Sequence, residues 1–333
     1  MKLGFRNRSN ATNVEQVFSR QERDSAPAVQ LVDVRKRYGT KDAVDGASLT
    51  IHRGTFTGLV GPNGAGKTTM LRMITGLCRP DAGTVQILGR NVWPDPSSVR
   101  QLMGVLPDDL RLFERLSGQE LLVYVGLLHG ISSDDIVPRA EQLLDVFGFE
   151  QSADELVADY STGMRKKIAL AAALVHAPKI LFLDEPFESV DPVSVRVLQD
   201  VLRSYQEAGG TVVLSSHVMS TVERLCTYVA IVDRGRIVRS GTVTEVADGG
   251  RLEQAFFDAV SHPGAPVHVH DQTIPWSPIE AVQSPSNENL ANGNLANENL
   301  ASENLETGNL ENENLRDLDN CSEDELREMA EVS

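Results

Sequence analysis

The sequence predicts an α/β protein built on a mostly parallel sheet, and three observations predict it. A strand pattern, TFTGLV at 55–60, passes through a glycine-rich turn, GPNGAGKTT at 61–69, into the helix pattern TTMLRMITGL. The run ILFLD at 180–184 is apolar without alternation, as expected of a parallel strand covered on both faces. Another such strand, TVVLSS at 211–216, follows the helical stretch VSVRVLQDVLRSY.

Taken in chain order, residues 1–26 are polar and unpatterned and read as a disordered lead. VQLVDV from Val29 and ASLTI at 47–51 are short strands separated by turn residues, ahead of the strand at 55–60. From about 110 to 160, Leu, Val and Phe recur at helical spacing through LSGQELLVYVGLLHG and AEQLLDVFGF, which reads as a helical subdomain inserted into the α/β core. The main domain, 27–261, closes with RLEQAFFDAV, where Leu252, Phe256 and Val260 fall on one helical stripe.

A proline-bearing linker covers 262–286, and five-residue repeats then run from Asn287 to Arg316 with leucines at 290, 295, 300, 305, 310 and 315. A period of five matches neither 3.6 nor 2, so no single face is apolar. A pentapeptide β-helix would bury unpaired carboxylates two places before several of the leucines, a heavy cost, so the repeat reads as disordered. In the acidic tail at 317–333, Ser322 followed by Glu325 has the spacing of a capping box and defines a short helix, marginal alone, that is either a docking element or a fraying end.

The formal net charge of −16 over 333 residues is a property of the tail. Residues 1–250 carry 28 Lys+Arg against 30 Asp+Glu, whereas residues 251–333 carry 3 against 17. A nearly neutral body with an acidic end excludes the basic footprint of a nucleic-acid binder. Cys78, Cys226 and Cys321 lie far apart, no apolar stretch approaches the roughly 20 residues needed to span a bilayer, and the start MKLGFRNRSNATN lacks the apolar middle of a signal peptide. The expectation is a reduced, cytosolic chain. His268 and His270 have no third ligand at a sensible spacing and define no metal site.

GPNGAGKTT matches GxxxxGK[ST] in the strand-to-helix context that the chemistry requires. Gly61, Gly64 and Gly66 remove side chains so that the backbone N–H groups of Pro62–Thr69, proline excepted, can turn toward phosphate oxygens, and the helix N-terminus adds its positive end. On this reading Gly61, Pro62, Asn63, Gly64, Ala65, Gly66, Lys67, Thr68 and Thr69 bind ATP, with Lys67 on the β- and γ-phosphates and the Thr68 hydroxyl on Mg²⁺. In ILFLDEP, a buried strand ends on two carboxylates: Asp184 to hold the magnesium and Glu185 to polarise the attacking water.

Over about residues 29–260 these motifs resemble the ABC ATPases. The resemblance implies a P-loop NTPase core of ABC type, a mostly parallel sheet with an antiparallel β subdomain and the inserted helical subdomain. YSTGMRKKIALAAAL at 160–174 is similar to the family's signature, usually LSGGQ: Ser161 and Gly163 match, while Thr162 and Met164 depart from it. The resemblance implies that Ser161, Thr162 and Gly163 cap the ATP of a second subunit in a head-to-tail dimer. It also makes His217 the switch histidine, Tyr38 the aromatic that stacks on adenine, upstream of the first strand pair, and Asp191 the matching residue of the D-loop that begins at Glu188. Where the family has a metal-contacting glutamine, this chain has Asp108, which ligates Mg²⁺ with more charge but donates no hydrogen bond when ionised.

The combination of PDD, YSTGM and EPFESVDP is similar to the cassette subunits paired with separately encoded export permeases for drugs, polysaccharides or peptides. It implies an ATPase at the cytoplasmic face of the cell membrane, held there by an integral-membrane permease, with ATP and Mg²⁺ and without nucleic acid. The other readings are a soluble cassette protein acting on ribosomes or DNA, and a nucleotide-dependent regulator without useful turnover.

Overall fold

The computed structural model describes residues 27–260. The expectations for 1–26, for the 262–286 linker, for the 287–316 repeat and for the 317–333 tail lie outside the described residues.

Two sheets organise the chain. The first joins β1 (Val29–Tyr38), β2 (Lys41–Ile51), β4 (Ala82–Ile87) and β5 (Arg90–Asn91) in the order β2-β1-β4-β5, all antiparallel. The second joins β3 (Phe56–Val60), β6 (Met103–Leu106), β7 (Ile180–Leu183), β8 (Thr211–Ser216), β9 (Tyr228–Asp233) and β10 (Arg236–Thr242) in the order β10-β9-β3-β8-β7-β6. Only the β9–β10 pairing in it is antiparallel. The sequence patterns mark β1, β2, β3, β7 and β8; β4, β5, β6, β9 and β10 are additions of the structure.

Every residue of β3, β7 and β8 is buried, and the reason is two-faced packing. Leu181, Leu183, Val212, Leu214, Val229 and Ile231 face one apolar cluster, while Ile180, Phe182, Val213, Ala230 and Val232 face the other. The second cluster is closed by α1 (Lys67–Ile74) and the antiparallel sheet, through Met70, Met73, Leu31, Val34 and Ile87. In β1 the alternation breaks at Asp33, which adopts φ 47° where the register to β2 shifts. Asp45 ties the sheets together, pairing with Arg35 on β1 and Arg236 on β10.

The helical lobe consists of α3 (Gly118–Leu128), α4 (Ser133–Phe147), a 3₁₀ turn at Val157–Asp159 and α5 (Thr162–Leu174), with a short α2 (Ser97–Arg100) preceding it on the core side. Ser117 and Glu120 form a reciprocal capping box at the start of α3. The lobe reaches past residue 160: α5 begins in it and runs into the core beside β6, so that a Cβ added to Gly104 would clash with the Ala173 carbonyl. The body continues through α6 (Pro192–Glu207), α7 (Met219–Leu225) and α8 (Val243–Ala247) to α9 (Leu252–Val260), whose Leu252 and Ala255 are buried with Phe256 and Val260 beside them.

Candidate nucleotide site

The register of the parallel strands builds the site. Val60 pairs with Ser216 and Leu183 with Leu214, so β3, β7 and β8 end together and deliver the glycine-rich turn, Asp184–Glu185 and His217 to one edge. Ligands of open α/β sheets bind at such carboxyl edges.

Gly66 caps α1 at φ 104°, and any Cβ there would run into the Ala43 carbonyl oxygen. The Ala65 N–H donates to the Pro62 carbonyl at 3.1 Å, and the Gly235 N–H donates to the Ala65 carbonyl at 2.8 Å, which pins the turn to the β9–β10 hairpin. The Lys67 side chain, 6% exposed, folds back inside the turn and donates to the carbonyls of Gly61 at 2.9 Å and Pro62 at 3.3 Å. These are neutral acceptors, so a polyphosphate in the turn competes for the ammonium with stronger, charge-assisted bonds.

Glu185, two residues past the end of β7, adopts the left-handed φ of 44°. Its Oε1 lies 3.8 Å from Lys67 Nζ and its Oε2 3.2 Å from His217 Nδ1. Its N–H donates to Ser215 Oγ at 3.0 Å, and its carbonyl accepts from Lys166 Nζ at 3.3 Å. The same Ser215 hydroxyl, wholly buried, donates to the carboxylate of Asp184, which is 5% exposed. One hydroxyl thus fixes both acidic residues at the strand end.

A cleft of about 270 Å³ opens over this edge, lined by Asn63, Gly64, Ala65, Lys67, Thr68, Asp108, Glu185, Glu188 and His217. Partial burial raises the Asp108 carboxyl above its ordinary range; the Lys166 ammonium draws it down, and Asp184, Glu188 and Asp109 push it up. Asp184, almost fully buried, is not among the lining residues. Its carboxylate, the Thr68 hydroxyl and Asp108 are hard oxygen donors of the kind Mg²⁺ takes.

Tyr38 and the signature residues lie outside this lining. Tyr38 is the last residue of β1, inside the first strand pair, which corrects its placement upstream of that pair; the strand runs longer than its apolar core because the hairpin to Lys41 is tight. Its ring is exposed, and its hydroxyl shares a hydrogen bond with Cys78 Sγ at 3.2 Å. Ser161 caps α5 by accepting from the Met164 N–H at 3.3 Å, with Thr162 exposed beside it. Gly163 is buried against α6, where an added Cβ would lie 2.5 Å from Asp191 Oδ2 and 2.6 Å from Ser194 Oγ. Asp191 caps α6, accepting from Val193 and Ser194, and hydrogen bonds from Ser194 hold its carboxyl below the usual range.

Sequence reasoning missed Ser215 and Lys166. The serine has no spacing signal, being one of two in TVVLSS. The lysine had one: a cation on the face of α5 that carries Ala169, Leu170 and Ala173 inward interrupts an otherwise apolar pattern.

A glycine-rich turn between β3 and α1, a lysine folded inside it and a carboxylate pair at the end of β7, two strands along the same sheet, are the features of a P-loop ATPase. The ABC transporter family model matches residues 44–188. The chain is 38% identical over 235 residues to the daunorubicin resistance ATP-binding protein DrrA3 of Streptomyces coeruleorubidus, covering 70% of this chain and 74% of that one. It is 32% identical over 257 residues to the linearmycin resistance ATP-binding protein LnrL of Bacillus subtilis, covering 74% and 82%. Among solved structures, an ATP-binding subunit of an ABC transporter superposes with TM-score 0.65 at 26% identity, over 70% of this chain and 99% of the other. CbiO1 from Clostridium perfringens, part of the ABC transporter complex CbiONQ, does so with TM-score 0.60 at 27% identity, over 67% and 92%. The chain belongs to the ABC transporter family, as its ATP-binding, ATP-hydrolysing subunit.

Proposed function

We propose that this subunit powers export of a solute through a separately encoded membrane permease, hydrolysing ATP at composite sites shared with a second cassette subunit. The observation that carries the catalytic part is Glu185, held by Ser215 and Lys166 through its backbone and aimed by His217 and Lys67 through its carboxylate. In that frame the turn at 61–69 grips the phosphates, Lys67 leaves its carbonyl partners for the β- and γ-oxygens, and Glu185 accepts a proton from the attacking water. His217, on the far side of Glu185, senses the γ-phosphate. Tyr38 offers its exposed ring to the adenine.

Thr68, Asp184 and Asp108 would hold Mg²⁺, which when bound neutralises charge on the phosphates. The signature residues Ser161, Thr162 and Gly163 belong to the partner's ATP, which fits their absence from the lining of this chain's own cleft. Homodimer and heterodimer both satisfy this geometry.

Among the described residues no helix is long and apolar enough to cross a membrane. By its likeness to transporter ATP-binding subunits, the reading places the subunit peripherally at the cytoplasmic face, bound to the permease through the helical lobe. Phe113 and Tyr124 pack edge to face at 5.1 Å there and stay exposed, with Leu127 and Leu128 alongside on α3. The solute is of drug, polysaccharide or peptide class, and the daunorubicin- and linearmycin-resistance names of the relatives support the drug class.

The test is affinity capture of the tagged chain from gently solubilised membranes, with ATP and the Glu185→Gln change to hold the closed dimer. The expected result is a polytopic membrane protein in fixed ratio. A soluble complex, with ATP-dependent dimerisation and no membrane partner, would overturn the transporter reading.

A further inference from the structure

Directly after the signature, α5 carries three consecutive cations, Arg165, Lys166 and Lys167, and they go to three places. Arg165 pairs with Glu114 at 2.8 Å, on the segment leading into the lobe. Lys167 donates to the Phe147 carbonyl at 3.0 Å and lies 4.8 Å over the Phe149 ring, at the end of α4. Lys166 alone turns to the catalytic edge, where it donates to the Glu185 carbonyl at 3.3 Å.

Lys166 is 6% exposed; among the described residues only Lys67 is a comparably buried cation. Burying an ammonium is costly, and an apolar side chain of similar length would fill the same space without that cost. What an apolar side chain cannot do is hold a carbonyl. The carbonyl in question belongs to a residue at φ 44°, a backbone state that an ordinary L residue keeps only when its surroundings impose it. The Glu185 N–H is already fixed by Ser215, and Lys166 holds the carbonyl on the other side of the same Cα, so the two peptide units that flank Glu185 are both gripped. The Asp108 carboxylate lies within electrostatic reach of Lys166 and offsets its charge across the cleft.

We propose that Lys166 is a positioning residue for hydrolysis: by holding the Glu185 carbonyl it fixes the backbone that aims the Glu185 carboxylate, and it transmits movement of the signature helix to that carboxylate. The proposal rests on the reading of Glu185 as the general base. Lys166 stands five residues beyond Ser161 on one rigid helix, about 7 to 8 Å along its axis, so a partner's nucleotide that draws on the first turn of α5 displaces Lys166 with it.

The experiment compares ATP turnover and ATP affinity in the full-length chain carrying Lys166→Met, Lys166→Arg, Glu185→Gln, and Lys166→Met with Glu185→Gln. Lys166→Met is expected to lower kcat by about tenfold or more with ATP affinity changed less than about twofold, and Lys166→Arg to recover most of the rate. In the Glu185→Gln background, Lys166→Met is expected to add no further loss to the residual rate. Independent, multiplying losses in the double variant, an unchanged kcat in Lys166→Met, or a loss confined to ATP affinity would each overturn the positioning role. Should Lys166→Met fail to fold, Lys166→Gln takes its place, with the same outcomes deciding. Full turnover by Glu185→Gln would instead refute the general-base reading, so the two failures are distinct.

Discussion

Strands β3, β7 and β8 bury every one of their residues, whereas α3 buries Leu121 and Leu122 and holds Tyr124, Leu127 and Leu128 outside. The same residue types do opposite work in the two regions. In the sheet they fix strand ends closely enough that Ser215 can reach both Asp184 and Glu185. In the lobe they fill one side of the helix and leave the other exposed, the side proposed above to meet the permease. Close packing thus stands behind the charged edge, and exposed apolar surface stands on the lobe, where the proposed docking would cover it.

The largest effect that would sharpen this contrast is Glu185→Gln, expected to slow phosphate release by about 10²–10⁴-fold while ATP still binds by titration. Next is packing in the sheet: Leu183→Ala, at a wholly buried position, should cost about 2–5 kcal/mol in a denaturant melt. Ser117→Ala breaks one bond of the capping box on α3 and should cost about 1 kcal/mol, read as faster amide exchange in the first turn of that helix. Leu128→Ser, on the exposed side, should change stability by no more than about 0.5 kcal/mol yet reduce recovery of the membrane partner in affinity capture. A large stability loss there would show the lobe to be built like the sheet, and the comparison would fail.

The smallest effect concerns pH. Burial raises the Asp108 carboxyl in the folded chain, so the fold favours its protonated form and ionisation costs stability. That cost is absent below the unfolded value and develops as pH rises through the raised folded one. Asp108→Asn should accordingly melt slightly higher than the parent at neutral pH, with the gap closing in acid. A gap that widens in acid would reverse the sign of the argument.

Strands β3, β7 and β8 were legible because two-faced burial leaves a continuous apolar run, and the phosphate turn because its glycines and lysine stand at the spacing of a phosphate loop; β9, YVAIVD, carries the same kind of apolar run and was missed. Strands β4 and β5 carry no such signature: AGTVQI is exposed over its first three residues, and Arg90–Asn91 is too short to show a period. The antiparallel β10 alternates weakly and ends in Ser-Gly-Thr, which reads as turn. In the site, contacts that run through the phosphate loop and the strand end were readable, while those that cross between distant elements were not. Ser215 to Asp184 spans 31 residues and Lys166 to Glu185 spans 19, and no local pattern encodes either pairing.

The exposed Phe113–Tyr124 pair and its leucine neighbours have a practical consequence for supply. With the docking proposed above, a cell that makes this subunit faster than its membrane partner would accumulate copies with that face uncovered, the kind of surface that chaperones and proteases recognise. Yield in a heterologous host should then depend on co-expression of the partner more than on the intrinsic stability of the fold, and the ratio of the two chains would be set after translation.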